Sequence, residues 1–146
     1  MDLDLLSYRE HLTLKKKEDK TYVYDPIRKK YLLLLPEEFT RQLLLQYLIR
    51  STSYERNLIQ VEKSFRVNDK LKRFDVVVYN EAVKPHLLIE CKSHKIKLTQ
   101  HAFDQIAVYN LVIGAPYLCV TNGLHTMVAR VNLETQNYEF LDRLPK

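Results

Sequence analysis

The chain has 146 residues, 46% hydrophobic and 28% charged, enough for one domain with its own core and ordinary for a globular protein. Two glycines and five prolines argue against low complexity, no apolar run approaches the roughly 20 residues of a membrane span, and the acidic start MDLDLLSY predicts no signal peptide. A formal net charge of +5 and a pI of about 9.1 suit an anionic partner without requiring one.

In chain order, residues 1–20 end in the charge run KKKEDK and are expected to form a peripheral arm or a short helix. TYVYDPIRKKYLLLL reads as two extended segments around an Asp-Pro turn. Pro36 then opens a helix, with Glu37 and Glu38 suited to its positive end and Phe39, Leu43, Leu44, Tyr47 and Leu48 as its core-facing stripe. Leu35 stands where a capping Ser, Thr or Asp would be preferred. LIQVEKSFRV, KRFDVVVYN and HLLIECKS follow as three strands joined by short turns, an antiparallel meander. LTQHAFDQIAVYNLVIG is a helix with Thr99 at its N-cap and Gly114 at its stop. PYLCVTNG, reached by that helical crossover, is expected to pair parallel to the third strand, and HTMVARVN and NYEFLD are two further strands. Cys91 and Cys119, both in apolar strand-like runs, read as reduced core thiols of a cytoplasmic protein, with a disulfide as the lesser alternative.

The run Leu87-Leu88-Ile89 continues as Glu90-Cys91-Lys92 where a buried strand should stay apolar or stop. Alternation puts Glu90 and Lys92 on one face, roughly 6–7 Å apart, with Cys91 turned toward the core. Asp75 interrupts the preceding strand, and a hairpin would bring it beside Glu90. Two carboxylates so placed repel, and a hard divalent cation, Mg²⁺ or Mn²⁺, relieves them, with the Cys91 backbone carbonyl as a third ligand. Such a cation can polarise a phosphoryl oxygen, with Lys92 placed to orient water or stabilise developing charge. The same three residues also fit an ordinary strand-end ion pair beside an edge aspartate, and taken alone they leave both readings open.

Asp75, then fourteen residues, then Glu90-Cys91-Lys92 resembles the D…(D/E)-x-K core of the PD-(D/E)XK nuclease superfamily. RFDVVVYN followed by LLIECKS resembles the nuclease domain at the N-terminus of type I restriction enzyme R subunits. Gln105-Ile106-Ala107-Val108-Tyr109 matches that group's Q-x-x-x-Y motif, and TNG at 121–123 ends the next strand as it does there. The similarity runs from about Pro36 to Thr126. It implies an α/β, restriction-endonuclease-like mixed sheet flanked by helices, with an αβββαβ core. The expected division is a single nuclease-like domain over 1–146, with an N-terminal extension 1–35, a core 36–126 and C-terminal strands 127–146.

The activity implied is metal-dependent hydrolysis of DNA phosphodiester bonds. Asp75 and Glu90 would be the metal ligands, Lys92 the catalytic lysine and Gln105 an auxiliary site residue. Glu38 would be a further acid from the first core helix, with Gln42 on its face, Glu62 a weaker candidate and Glu37 a solvent-facing neighbour. Lys70, Lys72, Arg73, Lys95, Lys97 and Tyr109 would contact the nucleic acid, and His94 and His101 read as surface residues. The chain shows no P-loop or helicase motif, so the resemblance is to the nuclease module alone. A partner supplying targeting or translocation, and a homodimer for cutting both strands, are compatible expectations. The alternative is a nuclease-fold module that binds nucleic acid or a partner without cutting.

Overall fold

Two polar dipeptides set the hairpins. Glu18-Asp19 and Asn68-Asp69 adopt positive φ (52°, 65°, 49° and 66°), as a two-residue primed turn requires. The computed structural model describes residues 3–145, so Met1, Asp2 and Lys146, the ends of the predicted 1–146 domain, lie outside the described residues. The first turn joins β1 (Leu14–Lys17) to β2 (Lys20–Asp25), which also pairs with β3 (Lys30–Leu33) in a three-stranded antiparallel sheet. The KKKEDK end of residues 1–20 is therefore a hairpin, while a short helix does form earlier in that stretch. Local helix is confined to a 3-10 turn over Leu5–His11, capped by Asp4. A lysine run carries no apolar periodicity, so only its cross-strand pairing reveals the strand.

The second turn joins β4 (Ile59–Val67) to β5 (Lys70–Tyr79), and β6 (Pro85–Cys91) completes the meander that the sequence pattern predicts. Helix α2 (Gln100–Ile113) then crosses over to β7 (Tyr117–Thr121), which pairs parallel to β6, Leu87 opposite Tyr117 through Cys91 opposite Thr121. The Thr99 hydroxyl accepts the Ala102 N–H at 3.2 Å, and Gly114 ends the helix in the left-handed conformation at φ 79°, both as expected. Strands β8 (Thr126–Val131) and β9 (Tyr138–Leu141) extend the sheet, whose order is β4-β5-β6-β7-β8-β9.

The first helix, α1 (Pro36–Ser51), starts at Pro36 with no side-chain cap from Leu35. It departs from the one-sided stripe: every residue from Thr40 to Gln46 is buried, including Arg41 and Gln42. One core cluster joins α1 residues (Leu43, Leu44, Leu45, Leu48) to Val76, Val78, Leu87, Ile89 and Cys91. The other joins Val77, Leu88 and Leu118 to Phe103 and Ile106 of α2. The main sheet therefore has a helix against each face. Among the described residues no helix is long and apolar enough to cross a membrane.

Candidate active site

The site forms where the sheet's pairing lapses. Val76 pairs with Val61 on one side and Ile89 on the other, whereas Asp75 has no ladder partner on either side. On the β4 side the opposing residue, Glu62, adopts φ 56°. Phe74 and Val77 both pack into the α2-side cluster although three residues apart, so the strict alternation slips between them. The freed Asp75 side chain takes over the missing ladder bond: its Oδ2 accepts the Cys91 N–H at 2.8 Å, while its Oδ1 accepts from Arg41 Nη2 at 2.7 Å.

Glu90 is 8% exposed, and its Oε1 is buried without a hydrogen bond, 3.6 Å from Lys72 Nζ. Burial first, and the neighbouring Asp75 carboxylate second, push its carboxyl up to about 7, against the pull of Lys72 and Lys92. Lys92 follows directly after β6, half-buried, its backbone N–H donating to the Thr121 carbonyl at 2.8 Å. Its ammonium is felt by two carboxylates, Glu90 and Glu37. Cys91 faces the core, and burial holds its thiol well above its usual range; Cys119 is likewise free and buried, its thiol pushed up to about 12.

On α1 the two glutamates keep their expected placement, Glu37 toward solvent and Glu38 inward. Glu37 is more than half-exposed, and burial and Asp75 raise its pKa, opposed by Arg41 and Lys92. Glu38 is instead held by cations. It accepts from Arg28 at 2.9 Å and Arg41 at 2.8 Å through Oε1, and from Gln42 at 3.0 Å through Oε2. Glu62 lies 3.1 Å from Arg28 and 3.8 Å from Arg41.

Arg28 and Arg41 are the residues the sequence pattern missed. Arg28 sits in the basic run Arg28-Lys29-Lys30, where no pattern sets it apart, yet its guanidinium bonds Asp25 at 2.6 Å as well as Glu38. Burial pulls the Arg28 and Arg41 guanidinium pKa values down, but the carboxylates around each outweigh it and hold both above the usual range. Asp25, Arg28, Glu38, Arg41 and Asp75 thus form one continuous ion-pair chain running from the N-terminal sheet to the end of β5. A carboxylate three residues before an arginine on a helix is the only sequence signal, and it reads equally as a surface pair.

Gln105 and Tyr109 share a face of α2, but Gln105 is exposed and its amide lies 3.3 Å from His101 Nε2. Tyr109 does approach: Lys72 Nζ sits 5.3 Å from its ring centroid and 5.3 Å from that of Phe74, which carries Lys72 toward Glu90. Lys70, Arg73, Lys95, Lys97, His94 and His101 are all exposed. Asn122 of TNG has a structural role: its Oδ1 accepts the Leu124 and His125 N–H groups, and its Nδ2 donates to the Ile96 carbonyl at 2.8 Å. That bond ties down the loop bearing Lys95 and Lys97.

Among the described residues no three or more His, Cys, Asp or Glu side chains are disposed to hold a metal. The donor chemistry nevertheless fits one divalent cation: two adjacent carboxylates, one with a buried oxygen that accepts no hydrogen bond, still hold the Glu90 pKa up despite Arg41 on Asp75 and Lys72 near Glu90. With two side-chain ligands, the remaining positions would fall to main-chain carbonyl oxygen and water.

Residues 36–145 match the profile of the family described as type I restriction enzyme R protein N terminus (HSDR_N), and the chain belongs to that family. No curated protein matches the chain. A solved fragment described as an HsdR subunit of a type I restriction enzyme from Vibrio vulnificus is similar in fold, with 19% identity and a TM-score of 0.56 over 76% of this chain. The chain spans 24% of that solved chain. The fold is the restriction-endonuclease-like α/β fold that the resemblance implies.

Proposed function

We propose that this member of the R protein N-terminus family is a metal-dependent deoxyribonuclease that hydrolyses phosphodiester bonds at the Asp75–Glu90–Lys92 corner of its sheet. The observation that carries the reading is Glu90: a buried carboxylate whose Oε1 accepts no hydrogen bond, beside a second carboxylate, stays costly to ionise even with Lys72 3.6 Å away, and a bound divalent cation would offset that cost. Asp75 and Glu90, with the Cys91 carbonyl, would hold Mg²⁺ or Mn²⁺. Once bound, the cation would act as a Lewis acid toward a phosphoryl oxygen and an attacking water.

The chain's own residues supply the rest. Lys92 places a positive charge on the Glu90 side of the site, where it would steady the charge that develops as water adds to phosphorus and the P–O bond breaks. Arg41 fixes one Asp75 oxygen and the Cys91 N–H fixes the other, so that carboxylate cannot rotate. Lys70, Lys72, Arg73, Lys95 and Lys97 would take flanking phosphates, with Tyr109 bracing Lys72. Gln105 keeps a role only if its amide leaves His101 when DNA binds. Two buried thiols suit a reducing compartment, the cytoplasm. A homodimer for cutting both strands, and a partner that moves or targets the DNA, extend the same reading.

The test is cleavage of plasmid DNA with Mn²⁺. Cutting that stops with EDTA and in Lys92→Ala is the expected result; cutting that survives either one overturns the mechanism. A second reading, a DNA- or partner-binding module that does not cut, rests on a specific observation: both Asp75 oxygens are already engaged, one by the Arg41 cation. DNA binding without cleavage at any Mn²⁺ concentration would favour it.

A further inference from the structure

We propose that the outer face of the β1–β3 sheet is a DNA-backbone-binding wing, fixed to the carboxylate site by the partly buried Arg28. The proposal rests on the DNA-cleaving reading above for its ligand, but not for its geometry.

The register sorts this sheet into two faces. Lys15 pairs with Tyr22, Lys17 with Lys20, and Tyr24 with Tyr31, so those six side chains share one face. Val23 and Asp25 point the other way, and both are fully buried against the domain. The outer face is thus three exposed lysines interleaved with three tyrosines that are only partly covered; Tyr31 is 38% exposed. Lys15 Nζ lies 4.2 Å from the Tyr31 ring centroid, and Tyr24 packs edge-on to Tyr31 at 5.3 Å. Lysines alternating with aromatic rings suit a nucleic-acid strand, the ammonium groups taking phosphates and the rings taking sugar and base surface.

Charge distribution points to the same surface. Residues 14–33 contain seven basic and three acidic residues, a net +4 out of the chain's +5. Almost all of the positive excess therefore lies on this small sheet, and the sheet precedes residue 36, where the family match begins.

The wing is held in place. Asp25 Oδ1 accepts the Ile27 and Arg28 N–H groups, both at 2.8 Å, closing the β2–β3 turn. Arg28 bridges Asp25 to Glu38, and Gln42 Nε2 donates to Asp25 Oδ2 at 2.9 Å. A strand gripped by the wing would therefore hold a set position relative to Asp75, reached through Glu38 and Arg41.

The experiment is fluorescence anisotropy with a labelled 30-base-pair duplex in EDTA, so that binding is read without cutting. The triple variant Lys15→Gln/Lys17→Gln/Lys20→Gln is compared with a charge-matched control, Lys84→Gln/Arg130→Gln/Arg143→Gln, at exposed positions outside the sheet. The wing variant is expected to bind at least about tenfold more weakly. Its log K against log salt plot should flatten by about 2–3, near 0.9 per lost phosphate contact. The control should change by less than about twofold. Equal losses in both triples, an unchanged wing variant, or a wild type that does not bind DNA each overturn the proposal. The two readings fail separately. A wild type that binds through the wing but never cuts with Mn²⁺ sinks the cleavage reading alone. A wild type that cuts while the wing triple keeps full affinity sinks the wing alone.

Discussion

Replacing Glu90 by glutamine keeps the side chain's shape and removes its charge, and the structure says what that charge costs. A glutamate ordinarily titrating at 4.5 is pushed up to about 7 here, by burial first and by Asp75 second. The native protein therefore binds a proton that the unfolded chain has already released between those two values. Stability from this group is complete below 4.5 and is lost as pH rises through 7. At pH 8 the wild type carries a penalty of about 3 kcal/mol for ionising Glu90 in place. Glu90→Gln escapes that penalty, so it should be more stable than wild type at pH 8 and nearly equal at pH 4.5. For a domain of this size the gain amounts to roughly 5–10 °C in Tm. Urea and thermal unfolding at the two pH values, without divalent metal, check it. In Mn²⁺ the ranking should narrow, because the wild type gains a ligand that the variant cannot hold. A Glu90→Gln protein less stable than wild type at pH 8, or equally shifted at both pH values, would refute the reasoning.

Other outcomes follow from the same geometry. Arg41→Met should destabilise the domain by about 3–5 kcal/mol in urea unfolding, because it leaves Asp75 and Glu38 buried without their shared cation. Lys92→Ala should leave the fold intact, since Lys92 forms no ion pair within 4 Å among the described residues, yet raise the Glu90 pKa further by removing a charge that lowers it. A Mn²⁺-binding pH profile measured by calorimetry should accordingly move to higher pH. Asn122→Ala should cost about 1–3 kcal/mol and strip hydrogen-exchange protection from the Leu124 and His125 amides, whose acceptor it removes.

The parts of this protein that could be read in advance are those whose signals are local. Thr99 and Gly114 bound α2 by capping chemistry, and the apolar alternation of Val76-Val77-Val78 and Leu87-Leu88-Ile89 gives adjacent strands. That adjacency brings Asp75 beside Glu90. What escaped depends on tertiary placement. Arg41 and Gln42 lie inside α1, where a surface helix would show them to solvent; α1 is enclosed on nearly all sides, so they became core polar groups. Glu37 and Glu38 differ by one residue, about 100° around the helix, and the placement of Arg28 and Arg41 decides that Glu38 is captured while Glu37 stays at the surface. Arg28 itself comes from a sheet whose strands are masked by lysines, and nothing local separates it from Lys29. Gln105 and Tyr109 form a motif at helical spacing, yet the face they share brings only Tyr109 into reach of the site, through Lys72.

The central claim is that Asp75 and Glu90 together form a divalent-cation site. Anomalous diffraction from a crystal soaked in Mn²⁺ at pH 8 tests it most directly. The account predicts one peak within about 2.0–2.4 Å of carboxylate oxygens from both residues, absent in Glu90→Gln crystals soaked the same way. No peak between the two carboxylates, with Arg41 still seated on Asp75, would contradict it.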